Sequence, residues 1–169
     1  MPGLATTGPD MHRLAALGLF LLMVVVAVAI GGQFVGGDWY QGMNQPSWNP
    51  PAMVMALVWA VLYVLMAVSA WMVWEAQRGL AIIPLGLWGL QLLLGIGWSW
   101  MYFGLHRPGW ALGMMTLWLL VVLLVVKVFR PIRIEASSLM MPVAAWMMFS
   151  WVLSLVQWRL DGGGLGSFF

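Results

Sequence analysis

The chain contains no cysteine. Disulfides, zinc–thiolate sites and cysteine nucleophiles are therefore excluded. Charge is nearly absent too: Asp, Glu, Lys and Arg make up 7% of the 169 residues, where a soluble domain carries roughly 25%. So few charges cannot cover a water-facing surface, and 63% of the residues are hydrophobic, arranged in long runs. No Asp, Glu, Lys, Arg or His falls near the middle of any run. Buried ionisable groups carry proton relays, ion coupling and voltage sensing, so their absence weighs against a pump or secondary transporter. It weighs equally against acid–base or metal catalysis inside a bilayer. The seven basic residues give a net charge of +2. They are scattered over chain ends and turns, which excludes a nucleic-acid-binding face. No internal repeat is visible, so an inverted-repeat carrier gains no support.

What is present is enough apolar sequence for an all-α membrane protein, a five-transmembrane-helix bundle. The runs lie at roughly 13–34, 52–76, 80–104, 109–130 and 135–160, each near the ~20 residues that span a hydrocarbon core. Helices are expected, because lipid offers backbone groups no outside partner. Residues 1–12 form an N-terminal segment, and the glycine-rich residues 161–169 are expected to be a flexible tail. Arg13 followed by Leu14–Ile30 has the outline of a signal peptide, but the run is long and Gly31–Val35 is a poor cleavage site. A retained first helix is the expectation.

Gly36-Gly37-Asp38 closes the first run, Pro50-Pro51 opens the second, and Arg130-Pro131 stops the fourth. Pro84 and Pro142 fall inside runs and are expected to bend them. Arg13, Arg78, Lys127, Arg130 and Arg133 lie on one side, Arg107 and Arg159 on the other. The positive-inside rule then puts the N-terminus in the cytoplasm of a bacterial inner membrane, and the long loop 36–51 outside.

The two histidines, His12 and His106, sit at helix ends, where a haem-ligand role is less expected than an interfacial one. The 15 methionines are spread through the apolar runs and read as gap-fillers. The 13 tryptophans are more informative. Trp39, Trp48, Trp71, Trp74, Trp110 and Trp158 lie near run ends, as in an aromatic belt. Deeper residues form stripes. Trp59 and Tyr63 are one turn apart. Gln91, Gly95, Trp98 and Tyr102 share a face, as do Trp146, Ser150, Ser154 and Gln157. Polar side chains avoid lipid, so these faces should turn inward. Allowing for helix direction, they meet in the membrane half beneath the long loop. Two readings stand: an aromatic pocket for a large flat apolar ligand, or ordinary helix packing.

The segment Trp39-Tyr40, then Asn44-Gln45-Pro46-Ser47-Trp48-Asn49-Pro50-Pro51, then Val58-Trp59-Ala60-Val61-Leu62-Tyr63 resembles the translocator protein family, also called TspO/MBR or tryptophan-rich sensory proteins. Gln91, Trp98-Ser99, Phe103-Gly104 and Pro142 with Trp146 follow in family order, so the resemblance spans about 13–160. It implies a five-helix bundle, usually a homodimer. The implied pocket holds a porphyrin, haem-type tetrapyrrole or isoprenoid under loop 1, with no covalent cofactor. It also implies a sensor or receptor linked to tetrapyrrole metabolism and stress. Light-driven protoporphyrin breakdown and isoprenoid or tetrapyrrole transport are the alternatives. By the resemblance, Tyr40, Trp59 and Trp146 join the pocket, and Trp39, Pro46, Trp48, Asn49, Pro50 and Pro51 shape its lid.

There are departures. Aligning on Trp98 puts Gly95 where the family usually has asparagine. Val143 follows Pro142 in place of tyrosine. Ser154 replaces an asparagine near the end of the last helix. Val156-Gln157-Trp158-Arg159 lacks the tyrosine of a cholesterol-recognition pattern, so no sterol binding is inferred.

Overall fold

The structure, a computed structural model, describes residues 8–163. In chain order the elements are α1 (Gly8–Gly32), a short α2 (Asp38–Gly42), α3 (Ala52–Ala76), α4 (Ile82–Ser99), α5 (Pro108–Phe129) and α6 (Ile134–Leu160). Trp100–Gly104 continues α4 as a wider π-turn, in which the Leu105 amide reaches back to the Trp100 carbonyl at 2.9 Å. Among the described residues, five helices are long and apolar enough to cross a membrane. Residues 1–7 and 164–169, most of the expected N-terminal segment and tail, lie outside the described residues.

Local sequence explains the boundaries. Gly36 and Gly37 hold φ angles of 103° and 95°, which turn the chain out of α1 and which side chains with a Cβ rarely adopt. Pro51 precedes the first turn of α3, and Pro108 occupies the first position of α5, where a missing N–H costs nothing. Pro84 departs from the expectation of an interior bend. Because α4 starts at Ile82, Pro84 lies in the first turn, where amides have no intrahelical acceptor. Pro142 is inside α6.

The helices close a ring in the order α1, α3, α6, α5, α4. Leucine, isoleucine and valine face outward on every span, for example Leu22, Leu57, Val61, Leu93 and Leu120, as a bilayer requires. The core divides in two. The end farther from loop 1 is packed with Val73, Val122, Val125, Phe129, Met140 and Val143, all fully buried. The end under loop 1 is aromatic and polar.

Polar groups tie the ring together through backbone carbonyls. Ser69 donates to Ala136 at 2.7 Å, the Trp88 indole to Met66 at 2.9 Å, and Ser99 to Gly31 at 2.7 Å. At the aliphatic end, Glu75 of α3 pairs with Arg13 of α1 and, at 3.3 Å, with Arg133 at the start of α6.

Candidate functional site

The aromatic half is a connected set of rings contributed by four elements. On α3, Trp59 and Tyr63 lie 5.9 Å apart, one turn from each other. Trp118 of α5 stacks on Trp59, with centroids at 5.6 Å and planes 15° apart. Trp98 of α4 lies 6.4 Å from Trp118 and stacks on Tyr102 at 5.4 Å. Tyr102 in turn meets Trp39 at 5.8 Å and Tyr40 at 6.2 Å, both on α2. The run therefore passes from the mid-membrane region to the loop that covers it.

Trp118 reaches this position because of Gly95. A Cβ built on Gly95 would stand 2.8 Å from Cζ2 of Trp118, closer than side-chain atoms approach one another in packed interiors. The small residue of α4 thus lets the indole of α5 enter the space between α3 and α4.

Polar groups in this half are left over. Gln91 is fully buried, yet neither amide atom has a partner within the protein. The indole N–H groups of Trp98, Trp118 and Trp146 and the hydroxyl of Ser150 are likewise unpaired. Ser150 is buried, and Trp146 packs against the core one turn away on α6. Buried polar atoms are nearly always satisfied, so five such side chains on α4, α5 and α6 call for a partner from outside the chain. An indole offers only a donor, and an amide one acceptor and two donor hydrogens, so the set is rich in donors. Ser154 differs: its hydroxyl lies 3.6 Å from the sulfur of Met115.

The loop closes over this end by named contacts. The Tyr102 hydroxyl donates to Gln157 Oε1 at 2.9 Å, and Gln157 Nε2 donates to the Tyr40 hydroxyl at 3.3 Å. Asn44 Nδ2 reaches the Leu160 carbonyl at 3.4 Å. Pro46 to Asn49 forms a turn through an amide-to-carbonyl bond of 2.9 Å, and the Asn49 side chain donates to Gln45. Trp48 rests edge-on against Phe149 at 5.9 Å, and Phe149 lies 5.0 Å from Trp146. His106 stacks on Trp39 at 4.4 Å. Pro50 and Pro51 lead directly into α3, whose first turn carries no acidic or basic residue.

The arrangement brings Tyr40, Trp59, Tyr63, Gly95, Trp98 and Tyr102 into one neighbourhood, with Gln91 on the Gly95 face; Trp146, Ser150 and Ser154 lie on α6, which packs against α3 and α5. Sequence reasoning missed Trp118. It also placed Gln157 in a stripe without a role, and Phe149 in none.

A profile of the TspO/MBR family matches residues 19–159. The chain belongs to the TspO/MBR family. This TspO/MBR protein is 33% identical to the human translocator protein over 153 residues, covering 87% of the chain and 90% of that relative. It is 31% identical to protein CrtK of Rhodobacter capsulatus, over 89% of the chain and 95% of the relative. It is 32% identical to the tryptophan-rich sensory protein of Cereibacter sphaeroides, over 86% and 92%. It is accordingly an integral, multi-pass membrane protein of a family of membrane sensors and translocators.

Proposed function

We propose that this TspO/MBR protein is a membrane receptor or sensor that binds a porphyrin or haem-type tetrapyrrole between α3, α4, α5 and α6, beneath loop 1. The observation that carries the reading is the set of unpaired buried polar atoms on Gln91, Trp98, Trp118, Trp146 and Ser150 beside stacked indoles. A flat conjugated ligand exchanges ring–ring contacts within the protein for ring–ligand contacts of the same kind, so insertion costs little dispersion energy. Acceptor atoms on the ligand satisfy the indole and amide donors, which ordinary helix packing leaves bare. An isoprenoid hydrocarbon meets the same rings but leaves those donors unpaired.

The test is a titration of the detergent-purified protein with protoporphyrin IX, following tryptophan emission. Saturable quenching, weakened about tenfold or more in Trp59→Ala, is the expected result. Unsaturable quenching, or identical curves for both proteins, sinks the reading.

A second reading, light-driven protoporphyrin breakdown with dioxygen as oxidant, is favoured by one observation. The ring run Trp59–Trp118–Trp98–Tyr102 has no centroid gap above 6.4 Å, which is short enough to pass an electron from ring to ring. Illumination in air should then yield a new absorbing product beyond one equivalent, lost in Trp59→Phe. Bleaching equal to that of free pigment rules it out.

For orientation, the end bearing Arg13 and Arg133 around Glu75 is proposed to face the cytoplasm of a bacterial inner membrane. A C-terminal alkaline phosphatase fusion should then be active, and an inactive one reverses the orientation. A homodimer, as family membership implies, completes the proposed partners; a detergent-corrected mass of one chain would exclude it.

A further inference from the structure

We propose that the Gly95–Trp118 pair sets the ligand selectivity of this pocket, favouring a planar conjugated macrocycle over a saturated, branched lipid. The proposal rests on the pocket reading above and deepens it. Where Gly95 leaves room beside α4, the wall is an indole. Trp118 is nearly fully buried, lies against Gly95 and is stacked almost parallel to Trp59. Two consequences follow from that geometry.

First, Trp59 of α3 and Trp118 of α5 form a near-parallel stack, so a ligand that parts it lies between two flat faces. A flat ligand keeps ring contact on both sides, whereas a puckered ring system or methyl-branched chain touches the indoles at isolated points. Second, the Trp118 N–H has no partner within the protein. A ligand lying against the ring edge gains by offering an acceptor there, which a hydrocarbon cannot do.

The two residues depend on each other. Any side chain at position 95 drives the Trp118 ring out of its place, because the contact made by a new Cβ is with the rigid six-membered ring and not with a flexible tip. Gly95 thus acts only through Trp118.

The measurement is a pair of titrations on purified protein, with protoporphyrin IX as the flat probe and squalane, a saturated branched hydrocarbon without acceptor atoms, as the competitor. Trp118→Leu should weaken porphyrin binding by about tenfold and leave the competitor's affinity unchanged or improved. Trp118→Phe should retain most of the porphyrin affinity. Gly95→Ala should weaken porphyrin binding in the parent protein and have no further effect in the Trp118→Leu background. Where Trp118→Leu does not fold, the Trp118→Phe and Gly95→Ala comparison decides alone: Gly95→Ala binding as tightly as the parent overturns the proposal. So does an equal change for both probes in Trp118→Leu. Parent protein that fails to bind porphyrin saturably defeats the pocket reading and this one with it. Parent protein that binds while Trp118→Leu binds equally well defeats this one alone.

Discussion

Replacing Gln91 with methionine is expected to raise the thermal unfolding midpoint of the ligand-free protein while weakening porphyrin binding by about tenfold. The two effects have opposite signs because the same amide is a burden without ligand and a contact with it. Gln91 is fully buried and has no hydrogen bond from either amide atom. Leaving a buried polar group unpaired costs roughly 1–3 kcal/mol. Methionine is close in length and volume, apolar and adaptable, so it removes that cost without opening a cavity. A ligand that presents an acceptor to Nε2 or a donor to Oε1 recovers the cost on binding, and the variant forfeits this gain. Thermal unfolding in detergent and the emission titration read the two quantities separately. A lower midpoint with unchanged binding would make Gln91 a structural residue and remove it from the site.

That residue also shows what the sequence could reveal. Gln91, Ser150 and Ser154 stand out because a polar side chain in an apolar run has one tolerable direction, away from lipid. The spans themselves were readable for a similar reason. Apolar run length and the flanking proline and glycine locate α3 and α5 almost to the residue, because both ends are set by local backbone chemistry. The placement of Pro84 in a first turn was not readable, since the apolar run continues upstream through Leu80-Ala81 although the helix does not. The short α2 escaped as well. Five residues, Asp38–Gly42, are too few for a periodic signal, and Gly, Asp and Gln read as loop.

Trp118 was hidden for a different reason. Leucine, valine and methionine surround it on all faces of α5, so no stripe distinguishes its direction. Its place is fixed by Gly95 on another helix, and nothing local to either residue records that pairing. The lid contacts are hidden likewise: Tyr102 and Gln157 are 55 positions apart, and Gln157 and Tyr40 are 117 apart.

Those lid contacts carry the second large effect. Tyr102→Phe is expected to loosen loop 1, speeding both porphyrin release and chymotryptic cleavage at Trp39 and Tyr40 by about tenfold. Trypsin cannot report on this segment, because residues 36–51 contain no Lys or Arg. Tyr102 is buried, and its hydroxyl is the donor to Gln157 Oε1 while also lying 3.8 Å from the sulfur of Met43 in the loop. Gln157 then holds Tyr40 through its other amide atom. Removing one oxygen therefore leaves a buried acceptor on Gln157 unpaired and frees that side chain to turn away from Tyr40. The ring of Tyr102 remains, so its stacking on Trp98 at 5.4 Å and the pocket wall are preserved. The variant thus separates lid closure from ligand contact. Gln157→Leu should reproduce the faster release, and the double variant should release no faster than either single one, because both changes break the same relay. Additive effects would mean that the two residues act independently. Release and cleavage rates equal to the parent's would mean that loop 1 is held by its ring contacts, Trp48 on Phe149 and Trp39 on His106, and that the relay is incidental to closure.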